Sequence, residues 1–433
     1  MKKNIFTPLS GFRDFLKEDA FLREYVIEKI SEVFKSFGFE VLYTPSIERK
    51  EILEGKYGEE AEKLIYDVFL SGEYKGGLRY DLTVSLARVY SLNYHNIKLP
   101  YCRYEIGKVW RGERAQVGKG RLREFTQADI DILGVDTPES DFYIINVGIK
   151  ALLNLGFKKE DIKIYLNSRK IMNFLMEKLF SVDKEKVLGV FQTIDKLDKF
   201  EKEVVLNELV VKRGLKREVA GKILNFVDVE FDFSNYFLFK ENKNLNVDDE
   251  ELNKEVNRIG FILKNFKDLG IFSVWKLNLV RGLDYYDGLV FETFIEGSSV
   301  GAVFSGGRYN SLVKVFLGKE IPAFGGSIGI DRVIDVLKEK GISKKILKKY
   351  GERYFIAYLD LDFSEYLKIA DVLRGKGYKV FVYPKKDKLK KQLSYASSYN
   401  FKYAVFYGKS EKDKGMIKIK DMETGEEFFE KIR

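Results

Sequence analysis

Tyr101-Cys-Arg-Tyr-Glu-Ile-Gly-Lys-Val-Trp-Arg-Gly-Glu113 and Leu122-Arg-Glu-Phe-Thr-Gln-Ala-Asp-Ile-Asp-Ile-Leu133 read as two strands of one antiparallel hairpin. The loop between them, Arg114-Ala-Gln-Val-Gly-Lys-Gly-Arg121, carries two glycines and three cations. Alternation puts Arg103, Glu105, Gly107, Val109, Arg111 and Glu113 on one face, with Tyr104, Ile106, Lys108 and Trp110 on the other. In the second strand Gln127, Asp129 and Asp131 share a face, opposite Ala128, Ile130 and Ile132. A Gln-Asp-Asp face is costly when buried and unpaired. It is therefore either solvated or faces something cationic, and Arg111 and Glu113 across the hairpin point to a charged ligand.

Outward from the hairpin, three more stretches carry chemistry. Leu78-Arg-Tyr-Asp-Leu-Thr-Val84 reads as extended, with Arg79, Asp81 and Thr83 on one face. A carboxylate beside a hydroxyl suits an ammonium group. Arg281-Gly-Leu-Asp-Tyr-Tyr-Asp-Gly288 sets two phenols beside a permanent positive charge and leads into a strand, Leu289–Phe294. Ala302-Val-Phe-Ser-Gly-Gly-Arg-Tyr-Asn-Ser311 places two glycines where backbone can approach a ligand closely. Gly325-Gly-Ser-Ile-Gly-Ile-Asp-Arg332 then runs into a helix through Val333, Ile334 and Leu337.

Composition narrows what these stretches can do. One cysteine, Cys102, excludes an intramolecular disulfide and a cysteine-rich metal site. One histidine, His95, sits in a loop with no nucleophile beside it, so a multi-histidine zinc site is excluded. The chemistry falls to arginines, carboxylates, tyrosines and amides. No apolar run approaches the ~18 residues of a membrane helix, and the N-terminus has no signal-peptide pattern. A cytoplasmic protein is expected.

The remaining organisation follows from periodicity. Leu22, Val26, Ile30, Val33 and Phe37 place an apolar stripe on a helix over 19–37, which Gly38 stops. Phe39–Pro45 follows as a strand. Residues 172–255 read as a helical insertion with no site chemistry. Residues 341–350 are lysine-rich and read as a linker. Beyond them, strands at Tyr354–Leu359, Tyr378–Tyr383 and Tyr403–Tyr407 alternate with helices over 362–376 and 387–400, which implies a parallel α/β sheet. Net charge is +9, and residues 331–433 hold 25 Lys and Arg against 16 Asp and Glu, leaving the rest balanced at 50 of each. A neutral body with a basic C-terminal part fits one domain for chemistry and another for a polyanion.

Taken together and in this order, the stretches resemble the motifs of histidyl-tRNA synthetases, class II aminoacyl-tRNA synthetases. The Asp131 form, with Arg-Tyr-Asp-Leu-Thr upstream, resembles the archaeal and eukaryotic branch. The resemblance implies an α/β chain. Its catalytic domain is α+β on a mixed, mostly antiparallel sheet, in two parts (1–171 and 256–340) around the insertion (172–255). A linker (341–350) leads to an anticodon-binding domain (351–433).

It also implies roles for residues. Asp81, Thr83, Gln127, Asp131, Tyr285, Tyr286 and Tyr309 would hold histidine, with Asp131 and Tyr286 on the imidazole. Arg111, Glu113, Arg281 and Arg332 would hold ATP, with Arg281 and Arg111 catalytic. Arg114, Gln116, Lys119 and Arg121 would reach the acceptor end of tRNA-His. Mg²⁺ would arrive with ATP and not on protein side chains. The helix and strand over 19–45 would form a homodimer interface. The chain departs from the pattern at Asn310 and Ser311, where the family has Asp-Gly. The implied activity is histidine–tRNA ligation through histidyl-adenylate. The alternative is a synthetase-like regulatory subunit of ATP phosphoribosyltransferase, a relative that lacks the anticodon domain and loses catalytic arginines.

Overall fold

The computed structural model describes residues 6–54, 64–69, 75–112, 122–241, 249–280 and 285–432. The chain divides into two compact units, Met1–Asp14 with Tyr25–Lys340, and Phe15–Glu24 with Gly341–Arg433. In the first unit the described strands are β1 (Glu40–Val41), β2 (Ile47–Arg49), β3 (Tyr66–Phe69), β4 (Lys75–Leu78), β5 (Tyr101–Trp110), β6 (Glu124–Leu133), β7 (Ile162–Ser168), β8 (Glu230–Phe231), β9 (Phe272–Lys276), β10 (Leu289–Ile295), β11 (Phe304–Arg308) and β12 (Ala323–Gly329). Nine form one sheet in the order β1-β5-β6-β12-β11-β10-β7-β9-β8, and β2-β4-β3 form a small second sheet. Only the β1–β5 and β7–β9 pairings of the large sheet are parallel, so it is mixed and mostly antiparallel, as the sequence implied.

The hairpin β5–β6 sets the register of its centre. Arg103 pairs with Asp131, Glu105 with Asp129 and Gly107 with Gln127. On the far side of β6, Asp131 pairs with Gly325, Asp129 with Ser327 and Gln127 with Gly329. Because side chains alternate, one sheet face presents the acids beside glycine and serine. The opposite face presents Ala128, Ile130, Phe304 and Phe324, all buried. The helix Pro138–Asn154 closes that apolar face. A Cβ on its Gly148 would overlap the Phe304 ring, so helix and sheet are in close contact there.

The N-terminal helix spans Lys17–Ser36, and Gly38 leaves it in the left-handed region (φ +80°). Its buried stripe is Leu22, Val26, Ile30 and Phe34, while Val33 and Phe37 are half-buried. The expected strand over 39–45 shrinks to Glu40–Val41. Phe39 is buried, but Tyr43 is 79% exposed and Val41 half exposed.

Residues 172–255 are largely helical, with Lys184–Ile194, Lys202–Val211 and Arg217–Val227 as its longer helices. The helix Glu250–Asp268 crosses the expected boundary at 255 and returns the chain to the sheet. Residues 341–350, expected as a linker, are helical: the helix Ile342–Gly351 follows Gly341, with Ile342 and Ile346 four apart and Ile346 buried.

In the second unit β13 (Arg353–Ile356), β14 (Lys379–Val382) and β15 (Tyr403–Phe406) are parallel, with helices Phe363–Gly375 and Leu389–Ser398 between them. To the three parallel strands read from the sequence, β16 (Met416–Asp421) and β17 (Glu427–Lys431) add an antiparallel hairpin, in the order β14-β13-β15-β16-β17. Alternation with lysine is what hid it: Lys418, Lys420 and Lys431 leave only Ile417 and Ile419 to bury. One buried cluster contains Tyr354, Ile356, Tyr366 and Val405; a second contains Phe355, Ala357, Ala396 and Phe401.

Candidate active site

The two acids of the Gln127-Asp129-Asp131 face are buried, and Gln127 is half-buried. Asp129 and Asp131 are 3% and 2% exposed, so each must be paired or neutral. Asp131 has partners on two sides. Tyr309 donates its hydroxyl to Asp131 Oδ1, and Arg103 Nη2 lies 2.8 Å from Oδ2 as an ion pair off the hydrogen-bond direction. Gly325 makes room for this carboxylate, since a Cβ there would overlap Oδ1.

Asp129 is held less completely. Ser327 hydrogen-bonds to it, but its Oδ1 has no hydrogen-bond partner among the described residues. Gln127 donates to Ser327 Oγ at 2.8 Å and leaves its own Oε1 without one. Burial raises the carboxyl of Asp129 to about 8, against the opposing pull of Arg103 and with a further push from Asp131. Burial also raises Asp131, again opposed chiefly by Arg103.

Arg103 is the cation that the sequence reading missed. It is fully buried on β5, and the register of the hairpin sets it opposite Asp131. Arg111, expected there, lies beyond the paired strand, and Glu113 lies outside the described residues. Counting inward from the Arg114–Arg121 loop pairs Asp131 with Tyr104, one residue out of the observed register, so only the formed hairpin identifies Arg103. Glu105, opposite Asp129, is directed away to Arg79 Nη1 at 2.8 Å and to Thr44.

The segment 79–84 departs from the extended reading. The helix Thr83–Asn93 begins inside it, so alternation stops and Arg79 turns to Glu105 and the Lys108 carbonyl. Asp81 accepts the Val84 N–H at 3.1 Å, in the manner of a helix-capping side chain, and the Tyr285 hydroxyl at 3.0 Å. Burial raises its pKa, countered first by the Val84 N–H and then by Arg111. Thr83 is buried beside it and interacts with the Tyr285 hydroxyl.

The three tyrosines converge. Tyr285 lies 4.8 Å from Tyr286 and 6.1 Å from Tyr309 between ring centroids. All three pack on one apolar cluster that includes Tyr80, Val84 and Leu312. Burial pushes the Tyr286 phenol well up, and among the acids around it Asp129 acts most strongly, ahead of Asp81 and Asp131.

The two tyrosine segments are also tied to each other. Asp287 accepts the backbone N–H groups of Asn310 and Ser311 at 3.2 and 2.8 Å. The departure from Asp-Gly at these positions leaves that tie to backbone groups. Asn310 Oδ1 also accepts the Ala323 N–H. Arg308 serves the frame: it pairs with buried Asp141, which Arg258 shares at 2.6 Å.

From Gln127 the same face opens into a cleft of about 150 Å³ lined by Arg111, Phe125, Ser305, Ser327, Asp331 and Arg332, among others. Arg111 donates from Nε to the Tyr80 carbonyl at 3.0 Å, and its guanidinium lies 5.1 Å from the Phe125 ring centroid. Arg332 rises from the first turn of the helix Ile330–Glu339 and donates to the Ala302 carbonyl at 2.7 Å. Asp331 accepts the Thr126 N–H at 2.8 Å and fastens that helix to β6. Two permanent cations thus flank a cleft whose lining includes Gln127 and Ser327, the neighbours of the buried acids on β6 and β12.

The structure brings together Asp81, Thr83, Gln127, Asp131, Tyr285, Tyr286 and Tyr309, and places Arg111 and Arg332 on the adjoining cleft. Arg281, Glu113, Arg114, Gln116, Lys119 and Arg121 lie outside the described residues. Sequence reasoning put Asp129 on the ligand-facing side without a role of its own, and it missed Arg103, Ser327 and Asp331 as members of the site. His95 sits on an exposed turn against the Tyr94 ring, 3.6 Å between centroids.

A family model described as Histidyl-tRNA synthetase matches residues 11–333, and one described as Anticodon binding domain matches 355–432. Among similar proteins, the histidine–tRNA ligase of Wolinella succinogenes is 36% identical, over 98% of this chain and 96% of its own. That of Korarchaeum cryptofilum is 34% identical over 93% and 91%. The crystal structure of histidyl-tRNA synthetase from Nostoc sp. superposes with a TM-score of 0.83 at 27% identity, covering 99% of this chain and 97% of that one. A Bacillus halodurans structure described as an ATP phosphoribosyltransferase regulatory subunit/histidyl-tRNA synthetase has a TM-score of 0.76 at 18% identity, covering 94% and 99%, and shares the fold.

Proposed function

The chain belongs to the histidyl-tRNA synthetase family and is an aminoacyl-tRNA synthetase that ligates histidine to tRNA; from that premise we propose how its residues divide the work. Histidine lies along β6. Its α-ammonium is received by Asp81, Thr83 and Gln127, and its imidazole lies toward Asp131, Tyr286 and Tyr309, with Tyr285 holding Asp81 in place. ATP occupies the adjoining cleft, with Arg111 and Arg332 on its phosphates, Glu113 near adenine and Arg281 where carboxylate and α-phosphate meet. The observation that carries this reading is that Gln127 and Ser327 line the cleft and neighbour the buried acids. A buried row of acceptors, Gln127 Oε1 and Asp129 Oδ1, leads into a cleft with two arginines.

The histidine carboxylate attacks the α-phosphorus, the bond to pyrophosphate breaks, and histidyl-adenylate forms. The terminal ribose hydroxyl of tRNA-His then attacks the acyl carbon and AMP leaves. Neither step needs a protein nucleophile. The arginines supply position and preorganised positive charge where negative charge grows. Mg²⁺ belongs with the ATP phosphates, whose charge it neutralises. Among the described residues no three acidic, histidine or cysteine side chains converge to hold a metal.

Residues Arg114, Gln116, Lys119 and Arg121 are assigned to the tRNA acceptor end, and residues 351–433 to the anticodon. The protein acts as a homodimer through the 19–45 region, where Val41 and Tyr43 are exposed on and beside an edge strand. No described helix is long and apolar enough to cross a membrane, and the cytoplasm is the assigned site of action. Arg111 and Arg332 on the cleft, together with the anticodon-binding match, favour ligation over a purely regulatory role. Histidine-dependent exchange of pyrophosphate into ATP tests the assignment. Arg281→Ala should lower that rate by ~10²-fold or more with folding intact, and a near-normal rate would remove Arg281 from the centre of the site.

A further inference from the structure

We propose that Arg258, with Glu255 one turn before it, is a positioning residue for the histidine site: from behind the sheet it fixes the strand end that carries Tyr309 and the turn that follows Tyr285 and Tyr286. The inference rests on the histidine reading above, in which these phenols border the ligand, and it concerns residues that do not touch the ligand. Side chains alternate along β11. Ser305 lines the cleft, and a Cβ on Gly307 would meet the Tyr286 ring, so these two positions and Tyr309 face the site. Arg308 leaves the strand on the other side, with its guanidinium 5.7 Å from the Phe324 ring centroid. There it pairs with Asp141 Oδ1 at 2.5 Å and donates to Ser140 Oγ at 3.1 Å and to the Val135 carbonyl at 3.2 Å.

The helix Glu250–Asp268 completes this anchor. Arg258 donates from Nη1 to Asp141 Oδ2 and from Nη2 to Asp136 Oδ1, both at 2.6 Å. Asp141 is thus held between two arginines, and Asp136 lies 3.4 Å from Arg308 Nη1. Glu255 accepts the Ser168 hydroxyl at 2.9 Å. Ser168 ends β7 opposite Leu289, and the next backbone N–H, that of Arg169, donates to the Gly288 carbonyl at 2.9 Å. The Asp287 N–H in turn donates to the Arg308 carbonyl at 2.9 Å, and a Cβ on Gly288 would come within 3.1 Å of Arg308 Cβ. One turn of one helix therefore reaches both tyrosine segments, the first through Arg308 and the second through Ser168. Arg258, Glu255, Asp141, Arg308 and Ser168 are all buried. A buried ion cluster adds little stability over apolar packing of the same volume. What it supplies is direction, because a guanidinium fork meets carboxylates in a fixed plane. Tyr309 and Tyr286 need that direction, since a small displacement of groups that hold a substrate is enough to weaken its binding.

The experiment uses the full-length protein, assayed well below its melting temperature. Pyrophosphate exchange gives KM for histidine, KM for ATP and kcat. Arg258→Gln should raise the histidine KM ~10-fold and leave the ATP KM within about twofold. Ile262→Ala, buried on the same helix outside the ion cluster, is the control: its cavity should lower the melting temperature and leave both KM values near wild type. Should Arg258→Gln fail to fold, Ser168→Ala removes only a hydroxyl and reads the second tie, with a histidine KM raised about threefold or more. A lowered melting temperature with wild-type histidine KM in Arg258→Gln, or in Ser168→Ala where that variant stands in, would overturn the inference. So would equal rises in both KM values, or the same histidine-specific rise in Ile262→Ala. Tyr286→Phe separates the premise from the inference, since its histidine KM should rise if the phenol borders the ring. A normal value there, or no histidine-dependent exchange in wild type, would overturn the reading on which the inference rests.

Discussion

At the residue scale the pocket depends on which carboxyl carries a proton. Asp129 has a raised pKa in the folded chain, to about 8, against ~3.9 when unfolded. The folded state therefore binds the extra proton between about pH 4 and 8, and unfolding releases it. Stability should fall as pH rises through that window, because the unfolded state binds fewer protons there. Asparagine holds no such proton and no buried charge. The melting temperature of Asp129→Asn relative to wild type should therefore be higher at pH 8 than at pH 5, and thermal unfolding at the two values measures it. Parallel pH dependences for the two proteins would show that Asp129 is not protonated in the fold. Arg103 illustrates the converse case: it is fully buried, and the neighbouring acids, Asp131 first, outweigh the cost of burial and keep it charged.

At the element scale the two faces of one sheet have separate duties, and adjacent glycines on β12 separate them experimentally. A Cβ on Gly325 would strike the Asp131 carboxylate, whereas one on Gly326 would strike the Phe304 ring on the opposite side. Gly325→Ala should therefore raise the histidine KM by displacing Asp131 and with it Tyr309. Gly326→Ala should leave KM near wild type but lower stability by about 1–3 kcal/mol through overpacking. Histidine KM and a urea midpoint on both variants check this, and a Gly325→Ala protein with normal KM would mean that Asp131 does not border the ring. The alternation that assigns these faces was legible in the sequence for β5 and β6, because polar and apolar residues alternate over many positions. It was not legible for residues 79–84. There Asp81 bonds the backbone of a beginning helix, and a capping acid looks the same in sequence as an acid on a strand face.

At the scale of the whole molecule the surplus charge lies in the C-terminal quarter, and the chemistry lies in the other unit. A chain ending at Lys340 should still make histidyl-adenylate but charge tRNA poorly. Residues Phe15–Glu24, which cluster with the C-terminal unit, would remain, so the comparison should include a check of folding. Binding of tRNA by the full chain should weaken as salt rises, since phosphate contacts release counterions. A truncated chain that charges tRNA as well as the full one, or binding indifferent to salt, would remove the tRNA role assigned to residues 351–433. The two added strands β16 and β17 belong to this scale as well. Their pairing is nonlocal to the βαβ pattern that betrayed β13–β15, and their half-buried lysine-rich alternation resembles a solvated tail.

By itself the sequence determined the mixed α/β class, the central hairpin, the order of the motifs and the residue types from which the site is made. These follow from local alternation, helical spacing and the chemistry of a chain with one histidine and one cysteine. Only the tertiary structure decided who faces whom. Register set Arg103 rather than Arg111 against Asp131, folding of the Tyr285–Tyr309 region brought a phenol onto that same carboxylate, and burial made Asp129 an acid that keeps its proton. Such choices depend on distances between residues far apart in the chain and on the exclusion of water from the space between them. Neither quantity exists until the sheet has formed.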